Sequence, residues 1–281
     1  MCGTWIMFKG ILKLFLFPLI RIYLFIFGRK IFQNINNKLF LLVIKSMGFS
    51  NYGDHYQTGE KKFIELIKGE LNFCLDIGAN IGTYSKLLIN NTSSKVFSFE
   101  PLEDAFRELE KLANNQSYKD RLKVYNYAFG ESTKKEKLYY SNTKSQLASF
   151  LEDANKLSFV NKKNNFSKIV QIKKLDDFTD VINVDLIKID TEGYEMNVLK
   201  GGINFISKKK PKFIQIEFNW HQLFTNNSLI DFSRELKNYE AFRIIPYGYP
   251  LIKVNPERPE NNIYHLSNYV FIRRDIANRY I

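Results

Sequence analysis

The chain has 281 residues, 45% of them hydrophobic and 25% charged, the balance of a globular protein with a real core. That excludes a disordered or collagen-like chain. A formal net charge of +12 favours anionic partners, although the Lys excess accompanies an excess of Asn, Ile, Phe and Tyr and carries little weight alone.

Residues 5–27, WIMFKGILKLFLFPLIRIYLFIF, are almost wholly apolar. A membrane-spanning helix needs about 20 apolar residues, so the length suffices. Lys9, Lys13 and Arg21 argue against a span, because a cation at the centre of such a helix costs about 2.5–3.5 kcal/mol. Pro18 adds a kink. A helical, basic, aromatic-rich segment lying in the membrane interface fits better. A helix pair buried on the main domain and a true span are the alternatives. No small-residue cleavage site follows, so a removable signal peptide is not expected.

Residues 46–60 read as a loop rich in turn residues, and from about 61 strands alternate with helices. The expected order is helix (FIELIKG), strand (LNFCLDIG), helix (83–90), strand (KVFSFEP), helix (LEDAFRELEKLANN) and strand (RLKVYNYAFG). A polar, irregular stretch over 131–180 has short strand candidates at KLYY and IVQIKKL. Strand VDLIKID, helix YEMNVLKGG, strand KFIQIEFN, a helix near 229–239, and strands AFRIIPY and NYVFIRR follow. This pattern predicts an α/β fold with a mostly parallel sheet covered on both faces and an antiparallel pair at its edge. Two regions result: residues 1–60, apolar and basic, and a catalytic domain over 61–281. Cys2 and Cys74 form neither a disulfide framework nor a metal spacing, which suits a reducing compartment.

The chemistry gathers at the carboxyl ends of the predicted strands. In CLDIGANIGTYS, Asp76 ends a strand, and Gly78 and Gly82 flank the turn into a helix. Such glycines let a ligand approach the main chain. The G-x-x-x-G spacing is neither the dinucleotide fingerprint nor the phosphate loop, and no lysine follows. A ligand less anionic than a pyrophosphate, with a sugar and an amino-acid part, fits better; a plain turn is the alternative. Glu100 ends the next strand, placed to accept hydrogen bonds from ribose hydroxyls. Tyr127 and Ala128 end the third strand on the same rim, to flank a base or, for Tyr127, to fill the core. Asp190 and Glu192 in LIKIDTEG, and Glu217 and His221 in IQIEFNWH, converge on this rim as candidate general bases. The carboxylates also suit a divalent cation with oxygen ligands, without establishing a metal site. His55 and His265 have no evident partners.

Taken in order, DIGANIGTYS, SFEP, YNYAFGE, the segment around Ser149 and LIKIDTEGYEMNVLKGG resemble the FkbM family of S-adenosylmethionine-dependent methyltransferases. The resemblance covers about residues 60–245. It implies a seven-stranded Rossmann-like sheet and methyl transfer to a hydroxyl oxygen of a sugar, glycan, glycolipid-like or other small acceptor. It also implies roles for individual residues. Asp76, Gly78, Asn80 and Gly82 hold the methionine end of the cofactor, Glu100 the ribose, and the Tyr127–Ala128 region the adenine. Asp190 and Glu192 sit nearest the reacting centre. The polar insert over 131–170 is where acceptor specificity is expected. A methyltransferase acting on RNA or protein, an NAD-dependent oxidoreductase and a non-catalytic membrane scaffold are the rival readings. The glycine spacing disfavours the oxidoreductase, and no basic patch interleaved with aromatics supports nucleic acid. The expected location is cytoplasmic, peripheral on the cytoplasmic face of a membrane through residues 5–27.

Overall fold

A computed structural model describes residues 17–55, 57–141, 148–156 and 165–281. The chain forms two compact units, Met1–Met47 and Gly48–Ile281. In the first unit, the described part of the predicted apolar segment, 17–27, is helical (α1). Its earlier part, 5–16, lies outside the described residues. A second helix covers Gln33–Ser46 (α2). No described helix is long and apolar enough to cross a membrane.

The second unit begins before residue 61. Its helices are α3 Glu60–Ile67, α4 Thr83–Asn91, α5 Glu103–Ala113, α6 Glu195–Lys200, α7 Ile203–Lys209, α8 Gln222–Thr225, α9 Leu229–Glu235 and α10 Arg274–Ala277. Its strands are β1 Phe73–Ile77, β2 Lys95–Phe99, β3 Leu122–Tyr125, β4 Ala128–Phe129, β5 Lys134–Tyr140, β6 Phe166–Lys173, β7 Leu186–Ile189, β8 Phe213–Phe218, β9 Tyr239–Ile244, β10 Leu251–Lys253 and β11 Ser267–Arg273.

The main sheet has eight strands in the order β10-β9-β11-β8-β7-β1-β2-β3, against the seven expected. Strands β3, β2, β1, β7 and β8 run parallel, and β11 is antiparallel to both β8 and β9. The additional strand, β10, folds back on β9 through residues 245–250, a turn closed by Ile245 N–H donating to the Pro250 carbonyl at 2.9 Å. Gly248 supplies the positive φ of +72° that this turn uses. The stretch read as one strand over 121–130 divides. Leu122–Tyr125 joins the main sheet, while Ala128–Phe129 joins β6 and β5 in a separate three-stranded sheet. The polar insert therefore has an ordered base.

Alternation along the buried strands sorts the two faces of the main sheet. Cys74, Leu186, Phe213, Phe242 and Val270 pack with Phe63, Ile64 and Ile67 of α3, with α4 and with α10. Each such fully buried side chain contributes about 1.5–3 kcal/mol. On the opposite face Phe218 meets Phe232 of α9, with ring centroids 6.1 Å apart. Towards the carboxyl ends of the strands the first face turns polar: Asp76, Lys188 and Gln215 replace the apolar residues two positions earlier, and all three are buried. The site grows out of this polar layer.

Candidate active site

The loop after β1 is shaped by close packing. Gly78, Asn80 and Gly82 have φ of +83°, +48° and +84°. A Cβ on Gly78 would lie 1.7 Å from the Asp190 carbonyl oxygen. A Cβ on Gly82 would meet Leu109 at 2.7 Å and Leu112 at 2.8 Å, both on α5. Glycine is thus required by neighbouring protein at both positions, and Gly78 also brings main chain to the edge of a cavity. That cavity, about 550 Å³, opens at the carboxyl ends of β1, β2, β7 and β8. This is where open α/β sheets bind ligands.

At one side of the cavity stands Glu100. Its Oε2 accepts from Asn80 N–H at 2.9 Å and its Oε1 from Leu102 N–H at 2.7 Å. These bonds hold the carboxylate in place and leave each oxygen a further lone pair for a ligand hydroxyl. Burial pushes its pKa up to about 7, against the two backbone donors that lower it. The sign of the resulting pH effect follows. Below pH 7 the free protein carries a proton on Glu100, and a ligand that donates two hydroxyls to the ionised form has to displace it. Ligand affinity is expected to fall about tenfold per pH unit below 7 and to level off above it. Glu100→Gln should weaken binding and remove this step. A step of the same size in both proteins, by calorimetry, would take Glu100 out of the binding site.

At the other side Asp190, Glu192 and Glu217 each present an oxygen within 4.8 Å of the other two. Lys188 Nζ donates to Asp190 Oδ2 at 2.7 Å. The Asn219 amide nitrogen donates to Glu192 Oε2 at 3.1 Å and to Glu217 Oε2 at 2.8 Å. The amide orientation is fixed because Asn219 Oδ1 accepts the His221 backbone N–H at 2.9 Å. Burial, then the charge of Asp190, raises the carboxyl pKa of both Glu192 and Glu217 well above the usual range. Burial would depress Lys188, but Asp190, Asp76 and Glu60 hold its pKa above the ordinary lysine value. One oxygen on each of the three acids thus already accepts a hydrogen bond. The same three acids have the oxygen chemistry for a divalent cation, which would compete with Lys188 and Asn219 for them.

The turn that carries Glu192 is pinned from several sides. Glu192 has a φ of +51° and Gly193 of +102°. A non-glycine residue in this region is strained by about 1–3 kcal/mol and persists where its surroundings impose it. Here Ser149 Oγ donates to the Glu192 carbonyl at 2.7 Å. The buried Glu195 carboxylate accepts from Thr191 N–H at 2.9 Å, Gly193 N–H at 3.1 Å and the Gln222 amide at 2.6 Å. Glu195, the last acid of the IDTEGYE motif, therefore builds the turn.

Of the residues singled out from sequence, Gly78, Asn80, Glu100, Ala128, Asp190, Glu192 and Glu217 all line the cavity. Four lie outside its lining. Asp76 is fully buried; its Oδ2 accepts from Ser85 at 2.6 Å, and Lys188 Nζ is 4.0 Å from Oδ1. It sits below the loop, where it anchors Lys188 electrostatically. Gly82 packs on α5, as described. Tyr127 turns into an aromatic core with Phe99, Tyr125 and Phe129, at centroid distances of 5.4–5.8 Å. The next aromatic, Phe129, lines the cavity instead. His221 is buried behind the carboxylates, with Nδ1 2.9 Å from Asn219 Oδ1 and 3.2 Å from Glu192 Oε2. Both neighbours accept, so Nδ1 carries the hydrogen. Burial lowers its pKa to about 4, which makes His221 a poor proton acceptor and a good prop for Glu192.

The cavity also has walls that the sequence did not announce. Tyr52, His55 and Glu60 come from the stretch 46–60, read as a turn-rich loop. His55 Nδ1 is 2.6 Å from Glu60 Oε2, and the Gln215 amide donates to Glu60 Oε1 at 2.7 Å. Burial would raise the Glu60 carboxyl, but His55, Lys188 and Thr58 hold it below its ordinary value. His265 pairs with Ser50, Nδ1 to Oγ at 2.8 Å. From Gly48 on, this stretch belongs to the compact unit Gly48–Ile281. Lys188 carried a usable signal, a charge inside a buried strand; Asn219 carried none.

A family model for the methyltransferase FkbM domain matches residues 76–243. The chain belongs to the FkbM methyltransferase family. The matched span holds the glycine loop, Glu100 and the whole acidic cluster of this FkbM methyltransferase, and leaves out the loop with Tyr52 and His55. No match is found among curated proteins. Among solved structures, a TehB-like SAM-dependent methyltransferase from Corynebacterium glutamicum is 10% identical over 77% of this chain and 88% of that chain, with a TM-score of 0.42. A methyltransferase from Geobacter sulfurreducens is 11% identical over 77% and 78%, at 0.41. P. horikoshii TYW2, solved in complex with MeSAdo, is 13% identical over 77% and 62%, at 0.40.

Proposed function

We propose that this methyltransferase uses S-adenosylmethionine to methylate a hydroxyl oxygen of a sugar, glycan or glycolipid-like acceptor. The observation that carries the reading is the carboxylate pair of Glu192 and Glu217, held by Asn219 on the same cavity as Glu100. The residues present fit the cofactor. Glu100 has spare lone pairs for two ribose hydroxyls, Gly78 to Asn80 offer main chain at the cavity edge, and Ala128 and Phe129 offer an apolar wall for a base. When bound, the cofactor supplies a methyl group on a positively charged sulfur.

The chain's residues have two roles in such a reaction. The first is to hold an acceptor oxygen in line with the methyl carbon, which supplies much of the rate enhancement. The insert contributes Leu138, Ala148 and Phe150 to the cavity wall and is the natural place for acceptor contacts. The second is to take the hydroxyl proton as the oxygen attacks, worth about 10²- to 10⁴-fold. Glu192 suits this proton transfer, because burial and Asp190 raise its pKa while Asn219 and His221 orient it. Positive charge placed nearby would favour its ionised form and ready it as a base. Glu217, on the same amide, shares the proton as a pair.

The test is transfer of a labelled methyl group from S-adenosylmethionine to a panel of free sugars, oligosaccharides and glycolipids, beside RNA and protein. Label in a saccharide hydroxyl is the expected result. Label confined to RNA or to protein would overturn the acceptor class while keeping the cofactor.

A further inference from the structure

The described part of the first unit, residues 17–47, has the surface of a molecule that does not face water. Residues 17–27 carry one charge, Arg21, and their apolar side chains point outward on every side: Phe17 is 58%, Leu24 60% and Phe25 73% exposed. In α2 five consecutive apolar residues, Leu39 to Val43, are exposed, Leu42 by 67%, and Ile44 is the single buried residue. A helix of a water-soluble domain shows one apolar stripe and buries it. An apolar surface continuing round two helices marks a partner or a lipid phase.

The two helices are tied together at the turn between them. Tyr23 Oη donates to Asn36 Oδ1 at 2.9 Å, and the Asn36 amide donates to the Phe27 carbonyl at 2.8 Å. The turn itself, Gly28-Arg29-Lys30, and the start of α2, with Asn34, Asn37 and Lys38, are polar. Arg21 and Arg29 lie over the rings of Phe17 and Phe25, at 4.6 and 5.1 Å. Long cations folded along an apolar body are what an interface between oil and water selects.

Charge decides between the candidate occupants. Residues 1–47 contain seven Lys and Arg and no Asp or Glu. A second copy of this segment would bring the same uncompensated positive charge to the contact. A bilayer with anionic headgroups offers both an apolar phase and the missing negative charge. The 14-residue α2 is about 21 Å long, short of the ~30 Å hydrocarbon core. We propose that the α1–α2 hairpin lies in the surface of a membrane containing anionic lipid, with its apolar side chains among the acyl chains and its cations at the phosphates. This inference is independent of the acceptor and of the catalytic residues.

The experiment mixes the full-length protein with vesicles of phosphatidylcholine alone, or of phosphatidylcholine with phosphatidylglycerol, and sediments them. Binding to the mixed vesicles is expected, at least about tenfold tighter than to phosphatidylcholine alone and weakened by salt. Leu24→Glu with Leu42→Glu, at exposed positions, should lower that affinity about tenfold or more while the melting temperature holds. Arg29→Glu with Lys30→Glu gives a second variant and should abolish the preference for anionic vesicles. No sedimentation with either vesicle, or equal binding by parent and variants, would overturn the proposal. So would a stable dimer in light scattering that Leu24→Glu with Leu42→Glu dissociates, since a second copy would then cover the face.

Discussion

Glu192→Gln is expected to lower kcat by about 10²- to 10⁴-fold while cofactor affinity stays within about threefold. The amide keeps the size of the side chain and can still meet Asn219 and His221, so the positively bent turn at Glu192 has no reason to move. What is lost is a group able to take a proton. Glutamine also removes a charge that Glu217 and Asp190 repel, so Glu217 should ionise more readily in the variant. Some residual turnover through Glu217 is therefore expected, and Glu192→Gln with Glu217→Gln should remove it. Single-turnover rates with bound labelled cofactor separate the chemical step from binding. If Glu192→Gln turns over at the parental rate, the proton leaves by another route and the acidic cluster serves binding alone.

The second large effect concerns Lys188, which lines the cavity and holds Asp190 through its ammonium. Lys188→Met should destabilise the protein by about 3–5 kcal/mol, because breaking a buried ion pair leaves its partners uncompensated. Here the partners are several. Asp190 lies 2.7 Å away, Asp76 is 4.0 Å away with an Oδ1 that has no hydrogen-bond partner among the described residues, and Glu60 feels the same charge. The ammonium also sits over the Tyr84 ring at 4.8 Å, a contact methionine keeps only in part. Adding Asp76→Asn to Lys188→Met should recover part of the loss, because it removes the most deeply buried of the orphaned charges. Chemical denaturation of the three proteins measures this. Additive losses would mean that Asp76 and Lys188 do not act as a pair.

Much of this architecture is legible in the sequence because the parallel strands are buried on both faces. LNFCLDIG, KVFSFEP and VDLIKID stand out as short apolar runs that end in an acid or a glycine, and all three form strands at the rim of the cavity. Their ends are readable because carboxylates are expensive to bury without a purpose. Other parts leave weak traces. The three-residue β10 lies at the edge of the sheet and needs no apolar run. The continuous pattern of RLKVYNYAFG hides a change of sheet between Tyr125 and Ala128, since residues in either sheet can be apolar. Tyr127 and Phe129 are equally plausible as ligand wall or core; both rings pack on Phe99, and of the two Phe129 lines the cavity. The loop with Tyr52 and His55 is polar and turn-rich, so nothing in its composition distinguishes a linker from a wall. Asn219 gains its importance by joining Glu192 to Glu217 across two strand ends, which no local pattern encodes.

The last strand in chain order, β11, lies inside the sheet, between β8 and β9. During synthesis, domains fold from the N-terminal side as the chain emerges. The parallel half of this sheet can form early, but the β9–β10 hairpin has no place to dock until residues 267–273 have left the ribosome. Until then β8 presents an open edge of unpaired backbone, the kind of surface that recruits strands from other chains. Ribosomes that stall shortly before residue 267 should therefore release a nascent chain prone to aggregation, although every cavity-lining acid has already been made.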